Sequence, residues 1–191
     1  MSRKAKIIVF SFILLISFII KNDNTENKSD NQKSYDNKSK SNEKVIQYFP
    51  APENGFSPYD YYFGKGVYNN STQNSFKIKN DNSTDAVVLL VNAYSNKKIR
   101  NEYIRKGETF TMTGVPNGTY YLRWISGNFW HPDIKTGNLT GSFQKDLSFS
   151  ETLSEKDWMT SDGLAQWTIT LYTVAGGTVE VDNLDANEFT K

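Results

Sequence analysis

Nucleophilic catalysis needs a base, and the chain offers one histidine, His131, inside Asn128-Phe129-Trp130-His131-Pro132-Asp133. The flanking proline and aspartate predict a loop there, not a shaped catalytic site. The absence of cysteine removes thiol nucleophiles, cysteine zinc sites and the acceptor of a bacterial lipoprotein anchor. No G-x-S-x-G elbow, phosphate-binding loop, dinucleotide fingerprint or H-E-x-x-H occurs. Two carboxylates at glycosidase spacing are the hydrolytic chemistry left over, with Asp146, Glu151, Glu155, Asp157 and Asp162 as candidates. The segment holding them is expected to be a charged loop or short helix between strands. Asp81, Ser83 and Asp85 occupy the first three alternating positions of a calcium loop. Ala86 stands where that loop needs glycine, and Asn92 where it needs glutamate. An Asx-type turn leading into a strand is the expectation at Asp81–Asp85, with no metal and no cofactor.

Aromatic side chains give the clearest pointer to binding. Phe129, Trp130 and His131 fall in one predicted loop and Trp158 in another; large rings outside strand patterning stack on sugars or anchor a protein partner. The competing expectation is that such rings plug the open end of a sandwich. Phe56, Tyr59, Tyr61, Tyr62 and Phe63 read as a segment pinned across the domain. From residue 55 onward, 13 basic residues face 15 acidic ones, so the domain lacks the basic surface that nucleic acid requires. Lys97, Lys98, Arg100, Arg105 and Lys106 are expected on the solvated face and turn of a hairpin.

Short β-rich runs separated by Asn, Gly, Asp and Ser must position these residues, which predicts an all-β sandwich or barrel. Strands are expected at 75–79, 85–94, 98–104, 108–113, 119–125, 166–174 and 178–181. In the second, Val87, Leu89 and Val91 alternate with Val88 and Leu90, so it should be central and covered on both faces.

Ahead of the domain, Ile7–Ile20 is apolar except for Ser11 and Ser17 and follows Arg3, Lys4 and Lys6. As a helix it spans about 21 Å, short of a hydrocarbon layer of about 30 Å. That length fits a signal peptide, whereas Ile19-Ile20-Lys21-Asn22 lacks the small residues of a cleavage site. The reading favours an uncleaved signal anchor over residues 1–20, with a secreted or periplasmic cleaved product as the alternative. Either way the positive flank stays in the cytoplasm and the remainder crosses. Residues 21–54, rich in Asn, Lys, Ser and Asp, are expected to form a disordered polar linker, leaving one domain at 55–191.

The stretch Glu108-Thr-Phe-Thr-Met-Thr-Gly-Val-Pro-Asn-Gly-Thr-Tyr-Tyr-Leu-Arg-Trp124 resembles the prealbumin-like sandwiches of carboxypeptidase-regulatory and CnaB-type domains. That resemblance implies a hairpin with Phe110, Met112, Tyr120 and Leu122 on one side and Gly118 at the turn. A broader resemblance, carried by SPYDYYFGKGVY (57–68), STDAVVLLV (83–91), IRNEYIRKGETFTM (99–112), GTYYL and TITLYTV, is to an uncharacterised C-terminal β-domain of bacteria. In some members it follows a J domain and a membrane segment. Here His131-Pro132-Asp133 lies between strands and not in a helical hairpin, so no co-chaperone role carries over. The expectation is therefore an all-β, single prealbumin-like or Ig-like sandwich on the outer side of a bacterial cytoplasmic membrane. It would bind or scaffold without catalysis, and its partner would be an envelope protein or a glycan.

Overall fold

The computed structural model describes residues 6–11, 45–152, 154–172 and 181–191. Its elements are β1 (Lys6–Ser11), α1 (Asp60–Phe63), β2 (Ser75–Asn80), β3 (Asp85–Asn92), β4 (Lys98–Ile104) and β5 (Thr109–Thr113). They continue with β6 (Gly118–Thr136), β7 (Leu139–Thr152), a 3-10 turn at Glu155–Asp157, β8 (Met159–Ser161), β9 (Gln166–Tyr172), β10 (Val181–Asn183) and α2 (Ala186–Thr190). One sheet has the order β1-β9-β2-β5; the other runs β10-β7-β6-β3-β4, with β8 also paired to β6. The result is an all-β sandwich.

Alternation along the strands decides the layers. Phe76 and Ile78 of β2, Met112 of β5 and Trp167, Ile169 and Leu171 of β9 meet Val88, Leu90, Leu122 and Trp124 of the facing sheet in one core. Val87, Leu89 and Val91 point the other way, into a second core, so β3 is central and covered on both faces as its sequence predicts. Two fully buried asparagines knit the ends of β2 to its surroundings. Asn74 donates to the Val115 carbonyl and accepts from the Gly163 and Ala165 amides; Asn80 donates to the carbonyls of Thr84 and Ile104.

The second core exists because the β6–β7 hairpin is far longer than the strand expected at 119–125. It curls back over its own sheet. The register shifts between Ser126 and Asn128, and a Cβ on Gly127 would lie 2.5 Å from Phe143 Cβ, so glycine is what lets the strands approach there. Phe129 and Asp146 adopt positive φ at the same bend. Beyond it, Trp130 and Phe143 pack over Tyr103 of β4, while Tyr59 and Phe189 of α2 close the rest of the layer.

Several expectations are corrected. The segment from 126 to 136 is strand and not loop, and 139–152 is strand up to the 3-10 turn, because polar residues on the outer face broke the alternation used to find strands. Residues 108–124 do not form a hairpin: β5 and β6 lie in different sheets, and both Gly114 (φ 61°) and the expected Gly118 (φ 158°) take positive φ in the connection. The four aromatic and aliphatic residues named there do share one core. Lys98 and Arg100 are buried, not solvated, since the chain from Gly55 to Val67 runs along the outer edge of β4. Gly55 and Phe56 exchange backbone hydrogen bonds with Tyr103, and the Val67 amide donates to Ile99.

At the N-terminus, Lys6–Ser11 is a strand parallel to β9, from Lys6 opposite Trp167 to Ser11 opposite Tyr172, where a helix was expected. Its Ile-Ile-Val-Phe content suits a pleated neighbour. The rest of the expected leader, residues 12–20, and most of the linker, 21–44, lie outside the described residues, as do positions 178–180 of the last expected strand. No helix among the described residues is long and apolar enough to cross a membrane.

Candidate binding groove

Residues 45–54, counted with the linker in sequence, form a strap across the curled hairpin. The Gln47 amide donates to Gln144 Oε1 (2.9 Å), and Gln144 Nε2 donates back to the Gln47 carbonyl (2.5 Å) and to that of Phe129 (3.2 Å). His131 Nδ1 accepts from the Asp133 amide at 3.1 Å. The ring proton therefore sits on Nε2, which donates to Gln47 Oε1 at 3.1 Å. Arg105 clamps the following turn by donating to the carbonyls of Pro52 and Ala51. Phe49 lies 4.3 Å from the His131 ring, and Tyr48 meets Phe129 edge-on at 5.3 Å.

Strap and hairpin enclose an open groove of about 320 Å³. It is lined by Phe49, Pro50, Pro52, Glu53 and Phe56 from the strap side and by Pro132 and the buried Trp130 from the hairpin, Trp130 serving as its floor. Trp130 is 6% exposed and is fixed by edge-to-face contacts with Tyr103 (5.5 Å) and Phe143 (5.2 Å). Below it, Tyr59 donates to the Gly141 carbonyl at 3.0 Å; burial, and then the nearby Tyr62, raise its hydroxyl pKa well above the usual tyrosine value.

Of the four residues singled out for ligand binding, the structure brings Phe129, Trp130 and His131 to this strap and leaves Trp158 elsewhere. Trp158 stacks on Tyr121 and meets Tyr94 edge-on, near the opposite end of β6. Only Phe129 (37% exposed) presents much of its ring to solvent; Trp130 contributes a floor, not a free face. Of the imidazole nitrogens of His131, Nε2 serves the strap at Gln47 and Nδ1 accepts from Asp133 of its own strand. Gln47, Phe49, Glu53, Phe56 and Gln144 were not singled out as site residues. The signal was Tyr48-Phe-Pro-Ala-Pro52, an aromatic and proline-rich break in a polar stretch.

Of the weak calcium candidates Asp81, Ser83 and Asp85, the last is engaged otherwise. Asp85 accepts from the Tyr103 hydroxyl (2.6 Å) and the Lys106 amide (2.8 Å), and the Asx turn is headed by Asn80, whose Oδ1 accepts from the Asn82 amide. Among the described residues no cluster of three or more His, Asp or Glu is placed to hold a metal. The acidic residues do not converge either. Asp146 accepts from Asn128, Glu151 pairs with Arg123, Glu155 and Asp157 sit on the 3-10 turn, and Asp162 accepts from the Leu164 amide. Compared with protein-family models, with curated proteins and with solved structures, the chain matches none of them.

Proposed function

We propose that this chain is a non-enzymatic binding module of the bacterial envelope. In this reading it is held at the cytoplasmic membrane by residues 7–20 and engages its ligand in the strap groove. The observation that carries the reading is the groove itself: an apolar concavity of about 320 Å³ with a fixed tryptophan floor. Such a cavity lies at the small end of the roughly 300–1,000 Å³ typical of ligand sites. A prealbumin-like or Ig-like topology is the finer fold reading that accompanies it. The test is a benzophenone side chain placed at Phe56 in intact envelopes, with the same group at exposed Thr111 on the other sheet as control. An adduct of defined mass from position 56 alone supports the reading, and equal or absent labelling at the two positions overturns it.

A glycan reading, including peptidoglycan, is favoured by one separate observation. Tyr48 (78% exposed) and Phe129 (37% exposed) offer ring surface to solvent, edge to face at 5.3 Å. Glycan-dependent quenching of tryptophan emission that disappears in Phe129→Ala is its signature; no quenching across a broad glycan panel removes it.

A further inference from the structure

The chemistry of the groove is more specific than its shape. Three aromatic rings, Phe49, Phe56 and Trp130, border it, and among the described residues Glu53 is the one charged residue that does so. The other walls are proline rings, which bring carbon surface and no N–H donor. Arg105, a cation tied to the strap, is directed at the backbone carbonyls of Pro52 and Ala51 and is not part of the lining. An anionic ligand would therefore find a carboxylate and no counter-charge.

A hard inorganic cation fits no better, because calcium or magnesium needs several oxygen ligands and this lining supplies one carboxylate. What remains is a cation whose charge is spread over carbon. Aromatic faces attract such a group through their quadrupoles, and quaternary ammonium compounds combine the charge with a shell of methyl groups that apolar walls can bury. Two of the rings are held before any ligand arrives: Trp130 by Tyr103 and Phe143, and Phe49 by the His131 ring at 4.3 Å. Little ordering is left to oppose binding.

We propose that the strap groove binds a small, free quaternary ammonium compound, with its methylated head against the rings of Phe49 and Phe56 above the buried Trp130 floor and its charge opposite Glu53. This rests on the reading of the groove as the ligand site and names the ligand class. A phosphate-bearing headgroup is disfavoured because, among the described residues, the lining offers no cation to hold the phosphate.

The test is titration of the full-length protein in a neutral maltoside detergent, followed by calorimetry and tryptophan emission, with three probes. These are choline, its uncharged isostere 3,3-dimethylbutan-1-ol, and phosphocholine. Choline should bind at least tenfold more tightly than the other two. Glu53→Gln should weaken it about tenfold, and Phe56→Leu, which keeps an apolar side chain but removes the ring face, should weaken it several-fold. Both positions are exposed, so folding is not at issue. Equal binding of choline and the neutral isostere overturns the cation site while leaving an apolar ligand site standing. Tighter binding of phosphocholine overturns the free-cation source. No binding of any probe overturns the inference, and coupled with the absence of an adduct from position 56 it removes the proposed function as well.

Discussion

Between the sheets, Arg100 and Glu102 of β4 form a buried ion pair, with Arg100 also donating to the Thr113 carbonyl and lying 4.4 Å over the Tyr68 ring. Burial raises the Glu102 carboxyl from its ordinary 4.5 to about 7. Contact with Arg100 pulls the other way without offsetting burial, and Asp60 adds to the rise. One carboxylate oxygen, Oε2, is buried without a hydrogen-bond partner, which fits the dominance of desolvation. Because the folded-state value is raised, the folded protein holds a proton that the unfolded chain has released between about pH 4.5 and 7. The associated stability is present below the unfolded value and is lost as pH rises through 7. At about 1.4 kcal/mol per pKa unit, the full effect is about 3 kcal/mol. Glu102→Gln cannot titrate, so its stability relative to the native chain should rise by about that amount from pH 4.5 to 8.5. The assay is urea unfolding followed by the buried tryptophans across that range. A constant difference would show that Arg100 keeps Glu102 ionised throughout. A difference of opposite slope would show that the pair, not desolvation, governs the site.

Trp130→Ala should lower stability by about 3–5 kcal/mol by emptying the second core, while Phe129→Ala should cost less than about 1 kcal/mol; urea midpoints of the two variants check the contrast. Gly127→Val should destabilise by roughly 1–3 kcal/mol or more, since its Cβ alone would press on Phe143, and the loss should show as partial exposure of Trp130 in fluorescence. Asp85→Ala should cost about 1–3 kcal/mol by leaving the Tyr103 hydroxyl and Lys106 amide without their acceptor, read as a fall in melting temperature. Ile7→Cys with Thr168→Cys, facing positions in the β1–β9 register, should cross-link in full-length chain synthesised without membranes. Membranes present during synthesis should abolish the cross-link, because one segment cannot both pair with β9 and enter a bilayer.

The strands legible in sequence were those buried on a regular face. β2, β4 and β5 were placed within a residue or so, and β3 was assigned its two buried faces, because apolar alternation or a solid apolar run leaves little choice. The far half of β6 and most of β7 were missed for a physical reason. Past Gly127 the hairpin bends, Phe129 and Asp146 take left-handed backbone, and the register slips, so buried Trp130, an odd number of residues after Ile125, falls out of the alternation. Proline after His131 reinforced the loop expectation, yet the ladder resumes by Lys135, opposite Thr140. Lys98 and Arg100 were misplaced because an edge strand was taken to face water. Nothing local in β4 says that the chain from Gly55 to Val67 will lie along it. The groove was half legible: Trp130 was noticed, but its partners lie some 75 residues earlier, in a stretch whose polar neighbours mark it as linker.

The same bend that hid the hairpin from sequence creates the groove, and the strap that completes it is the less firmly held side. Among the described residues its polar attachments are Gln47 to Gln144 and His131, Arg105 to two carbonyls, and Asn54 to the Thr109 carbonyl and the Arg105 amide. The hairpin beneath, in contrast, is tied by a long ladder, interrupted at two register shifts, and by two packed cores. Segments with few buried contacts and exposed hydrogen bonds open at lower free energy than the core of a domain. A ligand sandwiched between Phe49 or Phe56 and the Trp130 floor would add contacts to the weaker side, so binding should tighten the strap more than it alters the sheets. Amide exchange would show this as protection gained at 47–56 with β3 unchanged. Gln144→Ala, which frees the strap from β7 without touching the groove lining, should raise strap exchange and weaken ligand affinity together. If the affinity held while the strap loosened, the groove would be formed by the hairpin alone and the strap would be a bystander.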